Sequence, residues 1–113
     1  MHEFSLADSM LQMILKQVER SEAQKVEQVN LRIGRLSGVV SEALTFAFEA
    51  LAEGTPAQGA RLAIEDIAVT CYCPWCAHEF AVEGYSYRCP ACQTLSREVR
   101  KGREMDLVSI EVS

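Results

Sequence analysis

No stretch of this 113-residue sequence is apolar for the roughly 18 residues that a bilayer-spanning helix requires. Nor does a positively charged segment open it. His2 and Glu3 stand where such a segment would be, and Asp8, Ser9 and Gln12 interrupt the first apolar run. Both absences point to a cytoplasmic protein with no membrane partner, in a compartment where cysteines stay reduced. Basic residues are in deficit, 11 Lys and Arg against 16 Asp and Glu, for a net charge of −5. That balance argues against nucleic acid, because phosphate binding needs a basic footprint. The sequence also lacks a phosphate loop and any pairing of a nucleophile with a base, so an enzyme is not expected. No low-complexity segment occurs, and no repeat beyond one pair of cysteine motifs.

What is present is ordinary for a single small globular unit, with 49% hydrophobic and 24% charged residues. A chain of this size has a modest core, so a metal staple in one part fits it. Residues 4–22 carry Leu6, Met10, Met13, Ile14 and Val18 at helical steps, with Ser5 as the candidate N-cap. Val29, Leu31 and Ile33 then alternate with polar residues, as in a strand buried on one face. Gly34 and Gly38 bracket a turn. A second helix runs from Ser41, its candidate cap, to about Glu53, and Gly54 and Thr55-Pro56 stop it. Residues 61–69 read as a strand whose parity changes midway, which a bulge explains. Residues 105–112 read as another, with Val108, Ile110 and Val112 on one face.

The fold expected is α+β: a small three-stranded mixed sheet with two helices, plus an inserted zinc-ribbon-like domain with four cysteine ligands. The strand–helix–strand segment suits a parallel crossover. Residues 1–69 and 103–113 would form the discontinuous larger domain and residues 70–102 the insert.

All five cysteines fall within that insert. Cys73-Pro74-Trp75-Cys76 and Cys89-Pro90-Ala91-Cys92 are two knuckles, each able to place two sulfurs on one side of an ion. Four thiolates suit Zn(II) in a tetrahedron and leave no open position, so the site reads as structural. A dithiol redox pair and a rubredoxin-like iron site are the competing readings; the two symmetric pairs disfavour the first. Gly84 marks the bend of a hairpin between the knuckles. Cys71 reads as a spare, partly buried thiol, with competition for the place of Cys73 as the other reading. His78 reads as an exposed or packing residue. Arg97, Arg100, Lys101 and Arg103 form a basic cluster, read first as solvated and second as a docking patch.

The opening Met1-His2-Glu3 is a chelating sequence. The Met1 amine, the His2 amide nitrogen and the His2 Nδ1 close fused rings on one metal, and the Glu3 amide or carboxylate completes the set. Such nitrogen-rich tetragonal sets favour Ni(II) or Cu(II). Amide ligation releases a proton, so affinity falls at low pH.

Met1-His2-Glu3-Phe4-Ser5-Leu6, Ile33-Gly34-Arg35-Leu36-Ser37-Gly38-Val39, the two knuckles and Ser109-Ile110-Glu111-Val112 together resemble the HypA/HybF family of hydrogenase nickel-incorporation accessory proteins. The resemblance covers essentially the whole chain. It implies a nickel metallochaperone with Ni(II) as transient cargo at His2, Met1 and Glu3, and Zn(II) at Cys73, Cys76, Cys89 and Cys92. It further implies a GTPase nickel-maturation partner, delivery to the large subunit of a [NiFe]-hydrogenase, and in some organisms a link to urease maturation factors. Some members offer an acidic side chain just before the second helix as an extra nickel donor. Here Val40 stands there, which excludes a side-chain donor at that position. The alternative reading, from the double knuckle and the basic cluster, is a zinc-ribbon adaptor for nucleic acid or protein.

Overall fold

Two three-stranded sheets organise the chain, which the computed structural model describes from His2 to Ser113. Met1, the third expected nickel ligand, lies outside the described residues. Helix α1 spans Glu3–Ser21 and turns Met10, Ile14 and Val18 inward as their spacing requires, with Ala7 and Leu11 beside them, whereas Met13 of the expected stripe is exposed. It begins earlier than Ser5. His2 holds the N-cap position, its carbonyl accepting the Leu6 N–H at 2.8 Å, and Ser5 sits inside the first turn. Glu3 supplies negative charge at the positive end of the helix.

Strand β1 (Val26–Gly34) follows, then α2 (Ser41–Ala52) and β2 (Arg61–Ile67). Here too the cap differs from expectation, for Val40 is the N-cap of α2 and Ser41 the first helical residue. Gly54 adopts φ +79, which glycine tolerates, and the Thr55 hydroxyl donates to the Ala52 carbonyl at 2.7 Å to close the helix. β1 and β2 are parallel in unbroken register from Gln28–Arg61 to Gly34–Ile67. The bulge expected in β2 is therefore not there. Ile67, where the parity changes, is the last residue of β2, and Val69 beyond it packs into a different core.

The bulges lie instead where β6 (Met105–Val112) pairs antiparallel with β1. Asn30 faces Ser109 while Leu31 faces Leu107, leaving Val108 as the extra residue. Leu107 and Ile110 consequently reach the core together despite their odd spacing, whereas Val108 and Val112 are exposed. The expected face of Val108, Ile110 and Val112 is thus corrected. With order β2–β1–β6, the sheet gives one face to the helices. The main core joins Met10, Ile14, Val29, Leu31, Leu44 and Phe48, with Leu62, Ile64, Leu107 and Ile110 packed against it. The other face carries a polar ladder in which Asn30 bonds Ser109 at 3.0 Å and Gln28 bonds Glu111 at 3.2 Å.

The second sheet has β3 (Thr70–Cys73) between β4 (His78–Ala81) and β5 (Glu98–Lys101), both antiparallel to it. Val69, Cys71, Cys73, Phe80 and Cys89 form its small core. Cys71 is fully buried there, not partly.

The two sheets meet through backbone. A Cβ built on Gly34 would lie 2.1 Å from the Gly102 carbonyl oxygen, so only glycine fits. The Leu36 N–H donates to that same oxygen at 2.6 Å, and the Gly34 N–H donates to the Glu104 carbonyl at 2.8 Å. Among the described residues no helix is long and apolar enough to cross a membrane.

Candidate metal centres

The two knuckles are built alike. Each follows a strand or bridge into a turn that ends on a left-handed residue, Ala77 at φ 55 and Gln93 at φ 66. The Ala77 N–H donates to the Cys73 carbonyl and the Gln93 N–H to the Cys89 carbonyl, both at 2.8 Å. The Cys76 N–H also points at Cys73 Sγ at 3.4 Å, the amide-to-sulfur contact that stabilises a thiolate. Between the knuckles the chain bends at Gly84, φ +62, closed by the Glu83–Ser86 bridge.

This geometry brings Cys73, Cys76, Cys89 and Cys92 together, with all four sulfurs within 4.8 Å of one another. A tetrahedron with metal–sulfur bonds of about 2.3 Å has edges of about 3.8 Å. Cys73 lies 3.6 Å from Cys92 and Cys76 lies 3.9 Å from Cys89, each contact crossing from one knuckle to the other. The donor set therefore fits a zinc site, with size and softness both correct. Crowding of the thiols shapes their acidity. Hydrogen bonding to Cys92, then burial, pushes the Cys76 thiol up to about 12. The Thr94 hydroxyl, 3.2 Å from Cys92 Sγ, and the Thr94 amide bring Cys92 down to about 6. Cys71 and His78 fall outside the group of four. His78 is exposed, its Nδ1 lying 3.1 Å from the Glu79 carbonyl.

The basic cluster is partly spoken for. Arg100 stacks over the Tyr72 ring, 4.2 Å from its centroid, and pairs with Glu98.

On the first unit, His2 is exposed and lines a hollow of about 400 Å³ with Ser5, Leu6, Ser9, Ser37, Gly38, Val39 and Met105. Glu3 has a different situation. It is buried, and its carboxylate accepts the Val40 N–H at 2.9 Å. That bond first, and then the Glu3 amide, hold the carboxyl at about 2, far below its usual range. Glu3 thus binds the start of α1 to the start of α2, and both helices begin at the end of the sheet from which the second unit departs. The sequence reading paired His2 with Glu3 but missed this tie. No local pattern announces it, because the acceptor and donor are 37 residues apart. Met105 beside His2 was likewise missed, although it opens a strand that was correctly bounded.

Comparison with known proteins gives a consistent answer. The family model described as hydrogenase/urease nickel incorporation, metallochaperone, HypA matches residues 1–112. A hydrogenase maturation factor HypA from Picosynechococcus is 44% identical over 112 residues, covering 99% of both chains. Another of the same name from Chloroflexus aurantiacus is 38% identical over 98% of each. The solution structure of the Ni metallochaperone HypA from Helicobacter pylori superposes with a TM-score of 0.65 at 29% identity, over 99% of this chain and 97% of that one. A second solution structure of a HypA protein gives 0.73 at 30% identity, over 100% and 97%. The chain belongs to the HypA family of hydrogenase and urease nickel-incorporation metallochaperones.

Proposed function

We propose that the protein carries Ni(II) at its amino terminus and hands it on for assembly of [NiFe]-hydrogenase, acting as a carrier and not as an enzyme. The observation that carries this reading is the placement of His2. It is exposed at the N-cap of α1 on the rim of the hollow, in a chain whose family model is a nickel metallochaperone. The ligands are the Met1 amine, the His2 amide and imidazole, and Glu3. Because the Glu3 carboxylate is engaged with Val40, its main-chain nitrogen is the better donor. An exposed terminal site lets ligands exchange one at a time, which suits handover over storage.

Cys73, Cys76, Cys89 and Cys92 hold Zn(II) as a structural ion, supported by the tetrahedral spacing of their sulfurs. The second sheet with its small core, residues 70–102, is the unit that ion organises. The first sheet and the two helices, residues 1–69 and 103–113, form the nickel-carrying unit. The partners are a GTPase of nickel maturation and the hydrogenase large subunit, with urease maturation factors where urease is present. The setting is the cytoplasm, with neither nucleic acid nor membrane as partner.

Titration of Ni(II) by calorimetry into untagged protein and into His2→Ala tests the reading. Nickel affinity should fall by about tenfold or more in the variant, with zinc near one per chain in both. Equal nickel affinity in the two proteins would overturn the site.

A further inference from the structure

The two edges of the first sheet are unlike. β6 carries the bulge at Val108, and a broken edge pairs poorly with another strand. β2 is regular. It keeps unbroken register with β1 as far as Ile67, and among the described residues no strand lies on its far side. An uncovered, regular edge is a template for one more strand.

The two faces of β2 are sharply sorted. Through the register with β1, Leu62 and Ile64 share the helix side with Val29 and Leu31. Both stay only half-buried there, at the lip of the main core. Arg61, Ala63 and Glu65 share the open side with Gln28, Asn30 and Arg32. Glu65 meets Arg32 at 3.5 Å, whereas Arg61 is exposed and has no ion-pair partner among the described residues.

This strand complements itself. Laid antiparallel on a second copy about Ala63, it sets Arg61 opposite Glu65, Leu62 opposite Ile64 and Ala63 opposite Ala63. Opposite charges then meet on the open side and aliphatic side chains on the helix side, and both kinds of cross-strand pair stabilise a sheet. Neighbouring registers fail. An axis at Ile64 puts Leu62 against Asp66 and Arg61 against Ile67, while one at Glu65 sets two carboxylates face to face. An axis between residues matches the helix side of one strand to the open side of the other.

We infer that two copies of this chain pair antiparallel along β2 in the Ala63-centred register, joining their three-stranded sheets into one of six strands. The bulged β6 edges then lie outermost, so the assembly closes at two and does not grow into a fibre. β2 leads into the insert at Ile67, so the antiparallel strands send the two inserts off opposite ends of the joined sheet. The contact is one short strand, which makes the dimer a weak and reversible one. None of this depends on the nickel-carrier reading.

Sedimentation velocity of the full-length zinc-loaded protein, from about 5 to about 500 µM, tests the pairing. The wild type should pass from monomer to dimer over that range. Arg61→Glu sets carboxylates face to face across the axis and Glu65→Arg sets guanidinium groups face to face, so each should weaken the dimer by about tenfold or more. An equimolar mixture of the two variants should dimerise as the wild type does, because each chain supplies the charge the other lacks. Ala63→Lys, which places two ammonium groups opposite each other at the axis, should also weaken it and does not rely on the mixture. Circular dichroism should show the same fold throughout, and calorimetry the same nickel affinity. A wild type that stays monomeric at every concentration overturns the inference. So does a dimer that survives Arg61→Glu and Ala63→Lys, or a mixture of folded reversals that fails to recover it.

Discussion

In the proposed nickel site Glu3 would do two things with one residue, and its atoms would divide the work. The carboxylate faces Val40 and stays ionised down to about 2. A carboxyl depressed in the folded state contributes stability above its unfolded value and loses it as pH falls through the folded one. Glu104 is depressed in the same direction, by its own amide and then that of Gly102, which it accepts at 2.8 Å. Stability should therefore decline as pH drops from about 4.5 towards about 2, the window of Glu3, and thermal melts across that range will show it. Replacing Glu3 by Gln keeps an oxygen for Val40 but removes the charge. The variant should melt lower than wild type at pH 7, with the difference vanishing near pH 2. It should also keep nickel affinity within about threefold, because the main-chain nitrogen remains. Calorimetry on Glu3→Gln beside His2→Ala separates the two kinds of ligand. At Gly34 the constraint is purely steric. A methyl there would meet the Gly102 carbonyl at 2.1 Å with backbone on both sides, so Gly34→Ala should cost about 3 kcal/mol or more in urea unfolding.

At the scale of elements, legibility followed periodicity. α1, α2, β1 and β6 carry their apolar residues at helical or alternating steps over eight residues or more, and each was readable to within a residue or two. β3, β4 and β5 are four residues long each, too short for a period to appear, and cysteine occupies the inward positions of β3. They were covered only by the expectation of a zinc ribbon. The knuckles themselves were plain, since paired Cys-Pro-x-Cys turns encode their own geometry. Both helix caps were misplaced for one reason. Serine was favoured by propensity, while the observed caps, His2 and Val40, are tied by backbone and by a carboxylate from another helix. The β6 bulge could not be read because it depends on register with a strand roughly 80 residues earlier. β6 is an exposed edge, and an irregular edge resists pairing with a neighbour. Deleting Val108 would leave Leu107 opposite Leu31 and Ser109 opposite Asn30 while straightening that edge. The deletion variant should fold, and light scattering should show it self-associating more than wild type.

On the scale of the whole molecule, the chain is drawn out, 54 × 26 × 17 Å with a radius of gyration of 17.6 Å. A single compact domain of this length would have a radius of about 13 Å. Two separate cores explain the excess, and they differ greatly in size. The helical core has abundant buried aliphatic side chains, whereas three of the five buried residues of the other are cysteines. The ion proposed for the four cysteines would supply what the smaller core lacks, since binding free energy of about 10–16 kcal/mol is what folds comparable units. Chelation should strip amide-exchange protection from residues 70–101 while α1 and α2 keep theirs, as hydrogen-exchange mass spectrometry would record.

The insertion also separates β6 from the rest of its own sheet. β2 ends at Ile67 and β6 starts at Met105, so the strand that completes the first sheet is tethered through the second. Met105, its first residue, is also a wall of the hollow beside His2. Folded around an ion, the insert is a short rigid strap; unfolded, it is a long slack one that makes closing the sheet entropically costlier. The wall next to His2 then stands only as often as the strap is tight. A cell starved of one metal would feel the shortage as clumsy handling of the other.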